Sequence, residues 1–387
     1  MNKTVVLNGL TSAFFGMNSL IITPLVSLFA LKYLGATEAE LGYVVATFYI
    51  MSALSKIVVG FFVRQKYVFF LQIFGLLLII LSSVSYMIAG NVVFLVFLRA
   101  IHGIGYGLCF AANLTVAAIV AEVDDRSRSI NIYLVLSAVG MLIGPLLGTF
   151  STLYFNIPFA FEVAAIVSSI GLMFSLYVTK KNYHLSYNND SPHISWKAID
   201  FVTEKWFIVS VSAYFAYALI YGAIITYVPP YAKQAYGFAN YDVTLLFFGF
   251  FAFTILSRII LTKESSGRFI KKMLIASLGI SILMLAIIGL VRSPLVFTVS
   301  FVLIGITHGF LYPITVLFIS NNCKPQQLLR ANTLFTTAFD FGNTLGPMLT
   351  STLVVFMPLD FALLGSVILP GLILIFIANN VRFVECN

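Results

Sequence analysis

Charge is what this chain has least of. Only 9% of its 387 residues are Asp, Glu, Lys or Arg, where soluble folds carry about 25%. With 60% hydrophobic residues and a mean hydropathy of +1.02, a water-soluble globule of this size lacks the charges to cover its surface. A bilayer is the solvent that the composition implies. Cysteine is nearly missing too: Cys109, Cys323 and Cys386 stand alone, without metal-ligand spacing. That excludes a disulfide framework and a metal centre as expectations, and Cys109 reads as small apolar filler. There are no long basic tracts, so the net charge of +8 calls for no nucleic-acid partner. A cleavable signal peptide is also lacking. Lys3 is the only early positive charge, and the apolar run 5–31 is too long for a signal core of about 7–15 residues. No nucleophile elbow, Cys/His pairing or phosphate loop is legible, so enzyme chemistry has no support and no cofactor is expected. Gly103-Ile-Gly105-Tyr-Gly107 lies inside an apolar segment with no strand before it, which removes it as a nucleotide loop.

What is present is a succession of long apolar runs. Breaks of charge, Gly, Pro and Asn divide the chain into segments 5–31, 41–63, 67–88, 92–120, 130–153, 157–179, 207–232, 243–262, 270–291, 295–320, 331–356 and 360–381. Each is long enough to cross about 30 Å of hydrocarbon. Backbone groups in lipid must bond internally, so these runs are expected to be helices, and twelve of them rule out a period-two barrel. The expected fold class is an all-α membrane protein of twelve transmembrane helices in two pseudo-symmetric six-helix bundles. The only long polar stretch, with Asn-Asn-Asp-Ser-Pro at 188–192, separates residues 1–179 from 207–387 and makes 180–206 the linker. With the N-terminus cytoplasmic, only Lys32, Lys233 and Arg292 fall in outside loops, while Lys180-Lys181, Lys271-Lys272 and most other basic residues fall inside. That asymmetry puts both termini in the cytoplasm and the chain in the cell membrane as a multi-pass protein.

The two halves repeat one another. Leu54-Ser55-Lys56-Ile57 returns as Leu256-Ser257-Arg258-Ile259, and Gly140-x3-Gly144-Pro145 returns as Gly342-x3-Gly346-Pro347, both at an offset of 202 residues. Arg128 falls on Arg330 at the same offset, and His102-Gly103 matches His308-Gly309 with a four-residue slip. Parallel halves in an apolar chain point to a pseudo-symmetric transporter. Glycines four apart let helices approach closely, and a proline within a helix bends it.

These residues resemble signatures of the major facilitator superfamily, and the resemblance covers essentially the whole chain. Arg99-x3-Gly103 is similar to the family's helix-four motif, and Gly140-x3-Gly144-Pro145-x2-Gly148 to its helix-five "antiporter" motif. The signature after helix two is degraded: Gly60-Phe-Phe-Val-Arg64-Gln-Lys66 lacks the family's aspartate. The resemblance is to the twelve-helix drug/proton antiporter type. It implies export by antiport, a proton gradient as energy source, and a conformational role for Gly103, Gly140, Gly144, Pro145, Gly148, Gly342, Gly346 and Pro347. It also implies that segments one, four, seven and ten line a central cavity. That would direct Asn18, Asn113, Tyr214, Tyr217, Tyr221 and Tyr312 towards the substrate.

Ionisable residues inside the segments are functional candidates because burying them is costly. Asp340 lies near the middle of segment eleven, and its mate at the 202 offset is Ala138, so the architecture does not demand an acid there. It is the expected proton carrier, with Arg99, His102 and His308 as further proton-coupling candidates. A structural hydrogen-bonding role is the competing reading for each of the last three. Lys56 and Arg258 lie about one turn inside the cytoplasmic ends and are expected to snorkel to the headgroups. Glu162 is expected at the interface. Tyr214, Tyr217 and Tyr221 share a helix face, and aromatic faces with one acid suit an amphipathic, even cationic, organic solute.

The function expected is secondary active transport: proton-coupled export of a small amphipathic molecule, such as a drug or a secreted metabolite like a siderophore, by alternating access. An importer of a small organic solute is the alternative, and a non-transporting membrane sensor the alternative of another class. The partners expected are a small-molecule substrate and the lipid bilayer, with the chain acting as a monomer.

Overall fold

The computed structural model describes residues 3–63, 65–120, 126–188, 200–261, 267–322 and 328–380. Arg64, Cys323, Cys386 and linker residues 189–199 lie outside the described residues. The helices are α1 (Lys3–Leu34), α2 (Glu38–Phe62), α3 (Val68–Ser85), α4 (Val92–Val120), α5 (Arg126–Tyr154), α6 (Ile157–Asn188), α7 (Lys205–Tyr236), α8 (Asn240–Leu261), α9 (Gly267–Leu290), α10 (Pro294–Asn322), α11 (Leu328–Phe356), α12 (Leu359–Gly365) and α13 (Ile368–Asn380). Eleven stretches are long and apolar enough to cross a membrane, with α12 and α13 counted as one. The remaining long helix is α11, whose 29 residues include Thr333, Thr336, Thr337, Asp340, Asn343 and Thr344. It has the length of a span, and these polar side chains lower its hydropathy.

Local chemistry sets the ends. Gly35 and Gly237, 202 positions apart, both take the left-handed conformation (φ of 65° and 69°) that lets a helix stop abruptly. Thr37 and Glu40 open α2 as a capping box: the Thr37 amide donates to the Glu40 carboxylate at 2.7 Å, and the Glu40 amide donates back to Thr37 Oγ1 at 3.3 Å. Asn91 and Asn156 cap α4 and α6, accepting from the amides of Phe94 and Phe159. The twelfth segment is not one helix but two. Pro370 has no N–H, and its ring collides with the carbonyl four residues back, at Ser366, where α12 gives way to a turn.

The chain forms two compact units: Met1–Gly35, Ile50–Ile194 and Asn240–Phe248 in the first; Ala36–Tyr49, Ser195–Ala239 and Gly249–Asn387 in the second. In the first, α1 is the central helix and packs chiefly on α5 and α6; in the second, α7 takes that place against α11 and α10. Their most apolar windows are 83% and 78% buried, against 22% for the α12–α13 span.

Within each unit the helix contacts repeat at the sequence offset. A methyl group on Gly140 would collide with the Ala13 carbonyl, and one on Gly342 would lie 2.7 Å from that of Phe215. Gly144 meets the Met17 carbonyl as Gly346 meets that of Leu219. These glycines have no room for a side chain because α5 lies against α1, and α11 against α7, backbone to backbone. Gly148 differs: the nearest atoms to a Cβ there are at 3.4 Å or beyond.

The same comparison corrects the register of the histidines. Gly107 abuts Ser52 and Ser55, and Gly309 abuts Thr254 and Ser257. All three pairs stand 202 positions apart, so α4 and α10 correspond without a slip. His308 is therefore the counterpart of Tyr106, not of His102, and Tyr312 is the counterpart of Phe110.

Candidate functional site

In the first unit the candidate residues fall into separate polar groups. Arg99 and His102, one turn apart on α4, both face Tyr86 from the short turn after α3. Tyr86 Oη is 2.8 Å from His102 Nδ1, and Arg99 Nη1 donates to it at 3.5 Å. All three are buried, and the Tyr86 ring packs on Phe161 of α6. The sequence reading missed Tyr86, the residue that joins the other two. Its signal was slight, a tyrosine where an apolar run ends.

Asn113 belongs to a second network. Gln72 of α3 donates through Nε2 to Asn8 Oδ1 at 2.8 Å and to Asn113 Oδ1 at 2.7 Å, while Ser175 of α6 donates to Gln72 Oε1 at 2.9 Å. Asn8 also donates to the Asn113 carbonyl at 3.0 Å. Four helices are thereby tied at one level, and one donor, Asn113 Nδ2, is left buried without a partner. Asn18 of α1 turns to α3 and α6, donating to Ser83 Oγ and the Ala164 carbonyl, both at 2.9 Å. Its Oδ1 is likewise unmatched. Glu162 is partly exposed on α6.

Lys56 does not snorkel. It is 3% exposed, with Nζ 4.3 Å from the centre of the Phe110 ring and 5.6 Å from that of Tyr106. Its repeat mate Arg258 is half-buried, with its guanidinium carbon 5.9 Å from the centre of the Tyr312 ring. A cation over the matching ring, Phe110 on α4 and Tyr312 on α10, is part of the repeat; an aromatic face attracts the charge beside it.

The second unit brings most of its candidates into one place. Tyr214, Tyr217 and Tyr221 of α7 meet His308 and Tyr312 of α10 and Phe335 and Phe339 of α11. Tyr214 is stacked between Phe335 and Phe339, at 4.4 and 4.5 Å, and is 5.8 Å from Tyr312. Tyr221 stacks on His308 at 5.1 Å, and Tyr217 lies 5.4 Å from the same ring. Phe250 of α8 closes the side at 5.4 Å. Asp340, on α11 next to Phe339, is 1% exposed, and its backbone carbonyl accepts from Thr344 Oγ1 at 2.9 Å. Several polar atoms here are buried with no partner: Tyr217 Oη, His308 Nδ1, Arg258 Nε, Thr337 Oγ1 and Asn343 Oδ1. Native interiors leave few such groups; the first unit holds some too, among them His102 Nε2 and Asn113 Nδ2.

Gly140, Gly144, Gly342 and Gly346 sit at close helix contacts. Tyr227 Oη of α7 lies 3.5 Å from the Pro347 carbonyl, and Thr149 Oγ1 donates to that of Pro145 at 2.9 Å. Gly103 is buried on α4.

Comparison with known proteins then gives the family. The sequence profile of the Major Facilitator Superfamily matches residues 9–347 and 211–383. The chain belongs to the major facilitator superfamily. Solved structures of transporters share its fold. A bacterial homologue of the human lysosomal transporter Spinster, inward-facing and occupied, superposes with a TM-score of 0.74 at 14% identity, covering 98% of this chain and 96% of that one. A peptide transporter of the POT type in complex with alafosfalin gives 0.76 at 14%, covering 100% and 96%. The nucleoside transporter NupG gives 0.73 at 15%, covering 97% and 99%. At such identity these likenesses speak for the fold alone. A search of curated proteins finds no sequence match. A superfamily chain of this architecture is a multi-pass membrane protein and a secondary transporter of small molecules.

Proposed function

We propose that this transporter couples the inward flow of protons to export of a small amphipathic organic molecule. It would do so by alternating access in the cell membrane, with both termini cytoplasmic and the chain acting as a monomer. The observation that carries the reading is the buried cluster of the second unit. Tyr214, Tyr217, Tyr221 and Tyr312 gather on α7 and α10 against Phe339 of α11, and the next residue of α11 is the buried Asp340, the acid that the repeat does not require. Rings bind the apolar part of a solute, and a carboxyl that gains and loses a proton in a low-dielectric site supplies the coupling. Exchange direction follows from competition: a proton and a solute that exclude one another from overlapping sites move in opposite directions. The Gly-x3-Gly-Pro motif of α5, similar to that of the superfamily's antiporters, supports export, and the excess of basic residues on one side supports the orientation.

The test uses purified protein in liposomes. Amphipathic solutes are first ranked by how far they raise the unfolding temperature in detergent, and the best stabiliser is followed in vesicles with an imposed pH difference. Asp340→Asn is expected to insert and unfold like the parent, still to exchange solute across the membrane, and to lose accumulation against a gradient. Undiminished uphill transport by Asp340→Asn removes Asp340 from the coupling step.

A further inference from the structure

We propose that the substrate carries a carboxylate, which Arg258 receives, and a ring-sized apolar body, which the tyrosines of α7 receive. The inference rests on the transport reading above and concerns the charge of its substrate. Arg258 is a fixed cation set in the buried cluster. Its guanidinium lies 5.9 Å from the Tyr312 ring centre and within electrostatic reach of Tyr214, Tyr217 and His308. Among the described residues the groups that act on its charge are Tyr312, Tyr214 and Tyr217, and none of them is a carboxylate. Its Nε is buried and makes no hydrogen bond. One ring face returns only part of the hydration that such a group gives up, and an acceptor with charge returns far more.

The surrounding groups point the same way. Tyr217 is fully buried and His308 only 7% exposed, yet Tyr217 Oη and His308 Nδ1 have no partner. A hydroxyl and a guanidinium N–H are donors, and the imidazole nitrogen becomes one in the Nδ1-protonated tautomer. Such a set matches the lone pairs of a carboxylate. A guanidinium also takes a planar oxyanion through paired hydrogen bonds, so a carboxylate fits its fork better than a single hydroxyl does. The apolar body would enter among Tyr217, Tyr221 and His308, whose rings pack on one another at separations of 5.1 to 6.1 Å. A cationic solute meets the opposite arrangement, since its charge would enter beside a fixed cation. The aromatic surface alone favours a cation; the unmatched donors and Arg258 reverse that preference.

The experiment compares three probes with the same ring and chain: 3-phenylpropionate, 3-phenylpropanamide and 3-phenylpropylamine. Binding to the purified full chain in detergent is measured by calorimetry, with Arg258→Gln and Arg258→Lys beside the parent. The parent is expected to bind the acid at least tenfold more tightly than the amide or the amine. Arg258→Gln is expected to lose that preference, and Arg258→Lys to keep part of it. Equal or tighter binding of the amine or amide, or an acid affinity unchanged in Arg258→Gln, overturns the proposal, as does failure of all three to bind the parent. Should Arg258→Gln not elute as a single species, the ranking of the three probes on the parent and on Arg258→Lys still decides. Failure here leaves the proton-coupling reading to its own test at Asp340, and failure of Asp340→Asn to alter coupling leaves the charge of the substrate to this one.

Discussion

At the scale of single residues, the account turns on which buried polar groups are satisfied. Gln72 makes three side-chain hydrogen bonds across α1, α3, α4 and α6, so its role is to hold the first unit together. Hydrogen bonds between membrane helices contribute about 0.6 kcal/mol each, with a maximum of about 1.7. Gln72→Leu is therefore expected to cost about 1–3 kcal/mol, because it strands Asn8, Asn113 and Ser175 as well; reversible unfolding in mixed micelles reads this directly. Transport by Gln72→Leu at permissive temperature is expected to persist. In the second unit Tyr217, His308 and Arg258 hold unmatched atoms, as Asn18, His102 and Asn113 do in the first. Asp340 was legible in the sequence because its repeat mate is Ala138, and a broken repeat needs only counting. Arg258 was not legible as a site residue. Its repeat mate is Lys56 and both lie over aromatic rings, so symmetry assigned both to architecture; the orphaned Nε is what sets Arg258 apart.

At the scale of helices, close packing explains which motif glycines matter. Gly144 and Gly346 sit where a Cβ would press on the Met17 and Leu219 carbonyls, whereas Gly148 meets nothing nearer than 3.4 Å. Gly144→Ala and Gly346→Ala are expected to destabilise by about 1–3 kcal/mol through forced backbone shifts. Gly148→Ala is expected to be neutral or mildly stabilising, since alanine favours helix over glycine by about 1 kcal/mol. Thermal unfolding of the three variants side by side separates packing from mere membership of the motif. The sequence marked all three glycines alike because a motif records spacing, not the distance to the neighbouring backbone. Helix ends were better written: Gly35, Gly237, Asn91 and Asn156 each stop or start a helix by chemistry local to the residue. The division of the last span at Ser366 was missed: Pro370 disfavours the helix there, but Pro24, Pro145, Pro313 and Pro347 lie inside unbroken helices, so a proline alone does not mark a break.

At the scale of the whole molecule, the 202-residue repeat is the organising fact. It relates α1 to α7, α5 to α11, the Gly35 and Gly237 stops, and the cations Lys56 and Arg258 over the matching rings of Phe110 and Tyr312. It also allowed one false match. The two His-Gly pairs suggested a four-residue slip, and contacts of Gly107 and Gly309 with α2 and α8 restore the plain register. Fold was legible because lipid leaves the backbone few choices. Substrate chemistry was not, because it depends on which side chains of distant segments face one another. The central claim is that proton flow drives solute the opposite way. Its most direct test is solute movement in liposomes under an imposed pH difference, corrected for protein-free vesicles. The account predicts accumulation in an acidic lumen, abolished in Asp340→Asn. Accumulation in an alkaline lumen, or indifference to the pH difference, would contradict it.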